Sequence, residues 1–137
     1  MIGAQMETDA RTVRVLIVDD QAPFRNVART VVSLSPGFEV SAEAESGEAA
    51  VDLAAELRPD LVLMDVNLPG INGIEATRRI TGADGGIRVL LLSTYPADEL
   101  PPGARSCGAI AYINKEDLEP GVLRDLWESG GDPAWPA

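Results

Sequence analysis

A chain of 137 residues is long enough for one domain with a buried core, and its 45% apolar content fits an ordered globular protein. With 22 acidic residues against 11 basic ones, the net charge of -11 repels phosphate backbones and argues against direct nucleic-acid binding. Histidine is absent, which removes imidazole acid–base chemistry, Ser-His triads, histidine metal ligands and any phosphohistidine relay. The single cysteine, Cys107, excludes an internal disulfide and a multi-cysteine zinc site. No apolar run approaches the roughly 18 residues of a membrane span. The opening "MIGAQMETDART" lacks the basic and apolar regions of a secretory signal, so the cytoplasm is the expected compartment and no membrane partner is expected.

Residues 1–12 are polar and read as a flexible N-terminal tail. "VRVLIV", Val13 to Val18, is a β-branched apolar run suited to a strand buried on both faces. "APFRNVARTVVSLS" follows as a helix, with Pro23 in its first turn and Phe24, Val27, Ala28, Val31, Val32 and Leu34 at helical spacing. Pro36-Gly37 ends it, and "FEVSAEA" alternates as a second strand. "SGEAAVDLAAELR" is a helix with Ser46 as N-cap and Ala50, Val51, Leu53, Ala54 and Leu57 turned inward. "LVLM" is the third strand, "GIEATRRIT" the next helix, "RVLLL" the fourth strand and "AIAYI" the fifth. A helix around "LEPGVLRDLWES" precedes a Gly/Pro-rich C-terminal tail, residues 129–137.

Strand and helix alternate throughout, which predicts a single α/β domain over residues 13–128, with a five-stranded parallel sheet and helices on both faces. One segment breaks the rhythm. Between Pro96 and Ala109 a fourth helix is due, but Pro101-Pro102-Gly103 removes N–H donors and restricts the preceding residues, so a short or irregular piece is expected. Trp127 and Trp135 are candidates for a docking patch, with Trp127 the better candidate for packing on the sheet.

In open parallel sheets, function collects beyond the carboxyl ends of the strands. Asp19, Asp20, Asp65, Ser93, Thr94, Asn114 and Lys115 all lie there. A single aspartate after a strand is ordinarily a cap or turn former. Three at the ends of two neighbouring strands are different, because like charges about 4 Å apart repel by roughly 4 kcal/mol at an effective dielectric near 20. An oxygen-only donor set suits a hard cation, Mg²⁺ above all. Such a site suits phosphoryl transfer, with a carboxylate as nucleophile, Lys115 pairing with the phosphoryl group and Ser93 donating a hydrogen bond to it.

The ordered series "VLIVDDQAPFR", "SGEAAVDL", "PDLVLMDVNLPGINGIEATRRI", "VLLLSTY" and "AYINK" resembles the receiver domains of two-component response regulators. It is most similar to receivers of the subfamily joined to a helix-turn-helix output domain. The resemblance implies a flavodoxin-like, doubly wound sheet in strand order 2-1-3-4-5. It assigns Asp65 as phosphoacceptor and Asp19, Asp20 and Asp65, with the backbone carbonyl of Asn67, as the Mg²⁺ site, Asp20 being the direct ligand of the acidic pair. It places Ser93 and Thr94 with Lys115 against the phosphoryl group, and makes Tyr112 the aromatic switch.

The implied function is a signalling switch rather than a turnover enzyme, catalysing only its own phosphorylation and slow dephosphorylation. Its implied partners are a sensor histidine kinase or a phosphotransfer protein, and then a downstream protein or a second copy of the chain. No output domain is expected to follow, so DNA binding would come from another protein. Two departures stand out: Glu116 follows Lys115 where many receivers have proline, and the proline-broken segment alters the usual output face. An FMN-binding module is disfavoured by the two acids in "VDDQAP", and a haloacid-dehalogenase-type phosphatase by Asn67 where a second acid is needed. A phosphorylation-independent scaffold on the same fold is the alternative.

Overall fold

Alternate residues of each strand serve opposite faces of one sheet, and this period of two divides the core. A computed structural model of the chain describes residues 12–136, so the expected N-terminal tail falls outside the described residues except for Thr12. The strands are β1 (Val13–Val18), β2 (Phe38–Ala44), β3 (Leu61–Asp65), β4 (Arg88–Ser93) and β5 (Ala111–Asn114). They are all parallel and stand in the order β2-β1-β3-β4-β5, as the resemblance implied. Val15, Ile17, Leu61, Leu63, Leu90 and Leu92 face one side, where helices α1 (Ala22–Ser33) and α4 (Pro120–Ser129) cover them through Ala28, Val32 and Leu123. Leu16, Val18, Val62, Met64, Val89 and Leu91 face the other, under α2 (Gly47–Leu57) and α3 (Gly73–Ala83).

Local chemistry sets the helix ends. Ser46 Oγ accepts the N–H of Ala49 at 3.1 Å and Asn72 Oδ1 that of Glu75 at 2.9 Å, each satisfying a donor that the first helical turn leaves free. Pro23 and Pro120 occupy first-turn positions, where their missing N–H costs nothing. In α1 the helical spacing overreads the buried face: Ala28, Val31 and Val32 are buried, but Val27 and Leu34 are 49% and 66% exposed. The helix touches the sheet along a narrow stripe; Val27 lies at its margin, and Leu34 is the C-cap just past its end.

The proline-broken segment holds only two short 3-10 turns, Ala97–Glu99 and Ala104–Ser106, in place of a fourth regular helix. Gly103 turns the chain between them at φ +90. The segment read as a C-terminal tail packs back on this side, with Asp132 N–H bonded to the Ile110 carbonyl at 3.0 Å and Trp135 only 3% exposed. Trp135 is thus a core residue, not part of an exposed patch. Trp127, half-buried, meets Phe38 edge-on on the opposite face, at 6.4 Å between ring centroids.

Arg58, which ends α2, is the one described non-glycine residue in the left-handed region, at φ +49. That conformation crowds a Cβ and costs roughly 1–2 kcal/mol. Arg58→Gly is therefore expected to raise the unfolding free energy by about 0.5–1 kcal/mol, part of the relief being lost to backbone entropy. Urea denaturation measures it, and an unchanged or lower midpoint would contradict this account.

Candidate functional site

The sheet's register brings four chain segments to one edge. Val18 of β1 is level with Met64 of β3, so Asp19 leaves the sheet beside Asp65, and Ser93 of β4 is level with Asn114 of β5, the residue before Lys115. Asp19 and Asp65 are buried, at 1% and 3% exposure, whereas Asp20 is exposed. One carboxylate oxygen from each of the three lies within 4.8 Å of the others.

Lys115 answers part of that charge. Its Nζ donates to Asp19 Oδ2 at 2.6 Å and lies 3.5 Å from Asp65 Oδ1. The ammonium also sits 4.5 Å from the Phe24 ring centroid, a cation–π contact that orients the lysine stem over α1. Three carboxylates against one ammonium leave the cluster electronegative. Burial, then the neighbouring Asp19, push the Asp65 carboxyl up to about 6, against the opposing pull of Lys115 and of the Asn67 N–H, which donates to Asp65 Oδ1 at 3.2 Å. An all-oxygen set with surplus negative charge, one member exposed to solvent, fits a hard divalent cation that keeps several waters.

Two further candidates sit at the ends of β4 and β5. Ser93 is fully buried and its Oγ accepts the Tyr95 N–H at 3.1 Å. The half-buried Tyr112 points its hydroxyl at the carbonyls of Ser93, at 3.1 Å, and Tyr95. Burial holds this phenol above its ordinary range. Asn67 and Thr94 are exposed, and the Thr94 carbonyl accepts from Asn114 Nδ2 at 3.5 Å.

Several supports escape sequence reading because they depend on tertiary contacts. Arg25 of α1 donates to the Asp19 carbonyl at 2.8 Å while its guanidinium pairs with Glu43 at 3.3 Å and Glu45 at 3.7 Å, tying the aspartate loop to β2. Glu48 of α2 accepts the Ile71 N–H at 3.2 Å and steadies the loop after Asp65. Gly73 is required by contact: a Cβ there would lie 2.0 Å from the Asp65 carbonyl oxygen. In the sequence its sole mark is that it opens the helix GIEATRRIT.

Two outcomes follow from this geometry. In the metal-free protein the folded state binds a proton at Asp65 more tightly than the unfolded chain does, so stability falls as pH rises from the ordinary carboxylate range to about 6, and the burden is full above that. Asp65→Asn should therefore be more stable than wild type by about 1–2 kcal/mol at pH 7.5 in EDTA, and the gain should vanish near pH 4. A pH-independent difference in urea midpoint would contradict the assignment. Gly73→Ala should lose about 2–3 kcal/mol of stability as the start of α3 is pushed from Asp65, and wild-type stability would show that the loop yields freely.

Residues 15–126 match the response regulator receiver domain family. The transcriptional regulatory protein DegU of Brevibacillus brevis is 34% identical over 110 residues, 80% of this chain and 47% of its own length. The chemotaxis protein CheY of Halobacterium salinarum is 38% identical over 110 residues, 80% of this chain and 90% of its own. In structure, a LuxR-family two-component response regulator from Aurantimonas sp. SI85-9A1 superposes with a TM-score of 0.79 at 35% identity, covering 91% of each chain. The chain spans about half the length of relatives such as DegU, at 47%. No helix among the described residues is long and apolar enough to cross a membrane. This chain belongs to the response regulator receiver domain family, the phosphoacceptor switches of two-component signalling.

Proposed function

We propose that Asp65 is the residue that takes the phosphoryl group, with Mg²⁺ held by Asp19, Asp20, Asp65 and the Asn67 carbonyl. One observation carries this reading: Asp65 is a buried carboxylate at the end of β3, in reach of Lys115 and crowded by Asp19. A carboxylate held this way is poorly solvated and crowded by like charge, which leaves its oxygen a ready nucleophile. The metal would offset the repulsion between the carboxylates and an incoming phosphate and stabilise the transferring oxygens. An Asp65 oxygen forms the new P–O bond as the bond from phosphorus to the donor breaks. In that step a kinase phosphohistidine loses its P–N bond, or a small acyl phosphate its P–O bond, and Asp65 becomes a mixed anhydride.

Lys115, already between Asp19 and Asp65, pairs with a phosphoryl oxygen without crossing the site. The Ser93 hydroxyl, with Thr94 beside it, donates to another, and the carbonyls that hold Tyr112 sit on the same β4 end. The donor is a sensor histidine kinase or a phosphotransfer protein, and the cytoplasm is the compartment where these meet. The reading party is a protein docked on the altered surface. The domain is a switch whose chemistry is confined to gaining and slowly losing its own phosphoryl group. We assign nucleic-acid contact to none of residues 12–136.

Intact mass after incubation with acetyl phosphate tests this. Wild type should gain one phosphoryl group only when Mg²⁺ is present, and Asp65→Asn should gain none. Lys115→Ala should label more than about tenfold more slowly, since a charge-assisted contact worth at least about 1.4 kcal/mol is lost from the transferring group. Labelling that survives Asp65→Asn, or that ignores Mg²⁺, would overturn the assignment. Failure of folded wild type to label with either acetyl phosphate or a phosphorylated kinase would favour the scaffold.

A further inference from the structure

Where a regular fourth helix is missing, the chain covers its own sheet edge with a different segment. After α4 the backbone turns at Gly130 and Gly131, with φ +85 and +123, and a Cβ at Gly131 would lie 2.5 Å from the Ile110 carbonyl. Asp132 N–H bonds that carbonyl at 3.0 Å, and Trp135 N–H bonds the Asp132 carbonyl at 3.0 Å, so the segment is folded into a defined seat. The Trp135 indole lies on the Tyr112 ring, 5.8 Å between centroids with a 31° tilt. Arg105, from the second 3-10 turn, closes over the outer face. Its guanidinium is 4.5 Å from the indole centroid, and Nη1 donates to the Trp135 carbonyl at 2.7 Å and the Ala134 carbonyl at 3.3 Å.

Two properties bear on how firmly this seat is held. The Trp135 Nε1 is buried without a hydrogen-bond partner among the described residues, which offsets part of the gain from burying the indole. The floor of the seat, Tyr112, is held through its hydroxyl by the carbonyls of Ser93 and Tyr95, so it depends on the backbone at the end of β4. Ser93 Oγ accepts the Tyr95 N–H at 3.1 Å, which links this hydroxyl to the residue whose carbonyl holds Tyr112. A hydroxyl drawn toward a phosphoryl oxygen on Asp65 would carry that turn with it and shift the carbonyls that anchor the tyrosine ring.

We propose that the segment Gly131–Trp135 is an intramolecular ligand of the face beside β5, seated on Tyr112 under Arg105, and that occupation of the Asp65 site by a phosphoryl group unseats Trp135. This rests on the reading of Asp65 as phosphoacceptor. Release uncovers the Tyr112 ring, so a protein partner that stacks on it competes with Trp135 for one seat. Because coupling is reciprocal, a seated Trp135 opposes phosphoryl-group binding by the same factor by which that group opposes seating.

The test uses the full chain with beryllofluoride and Mg²⁺ as the phosphoryl mimic. Trp127→Phe leaves Trp135 as the sole indole, since the chain has two tryptophans. On saturation its emission should shift to the red and become more accessible to acrylamide. Trp135→Ala should bind beryllofluoride about fivefold or more tightly by isothermal titration, Arg105→Ala should move the same way while leaving the core intact, and Trp135→Phe should restore most of the wild-type affinity. Circular dichroism checks that each variant is folded. Binding of the mimic with unchanged Trp135 emission overturns this proposal and leaves the phosphoacceptor reading standing, as do wild-type affinities in both Trp135→Ala and Arg105→Ala. If wild type neither binds the mimic nor gains mass from acetyl phosphate, both fall together.

Discussion

The organising constraint is the forced proximity of two buried carboxylates, Asp19 and Asp65, at the ends of adjacent parallel strands. Each has lost most of its water, and each raises the electrostatic cost of the other. The fold relieves this only in part, by laying the Lys115 ammonium between them at 2.6 and 3.5 Å. Everything around the site serves that arrangement: Phe24 backs the lysine, Arg25 holds the peptide that carries Asp19, and Glu48 steadies the loop beyond Asp65. The residual surplus of negative charge suits a hard divalent cation. A structure optimised for stability alone would place apolar side chains there instead.

Much of this was legible in the chain because strand ends are visible in a sequence. An apolar run such as Val15–Val18 or Leu61–Met64 must stop where a charge begins, and in a parallel α/β sheet all such stops fall on one edge. The acids and the lysine therefore announce their convergence without any knowledge of distance. The proline pair at Pro101 and Pro102 announces the irregular segment equally plainly, through donors that do not exist.

What stayed hidden depends on the chain meeting itself across long intervals. Nothing local says that Trp135, in a Gly/Pro-rich stretch that reads as a tail, inserts beside Tyr112, or that Arg105 stacks on it. The segment could be read only from what was missing elsewhere: a helix that fails to form leaves apolar sheet uncovered, and something must cover it. Likewise the helical spacing of α1 overcounts its inner face, since the periodicity that identifies a helix does not say how wide a stripe its neighbours bury.

The Lys115–Asp19 pair closes a separation of 96 residues, from the end of the first strand to the end of the last. A contact of such range arises only after the central strands have aligned, and parallel sheets assemble slowly because loop-closure entropy must be met before the pairing rewards it. A chain emerging from the ribosome thus carries its two crowded acids for a long interval before the compensating lysine is even synthesised. Until then Asp19 and Asp65 have every reason to stay apart in water, and the edge that bears the chemistry waits for the last strand.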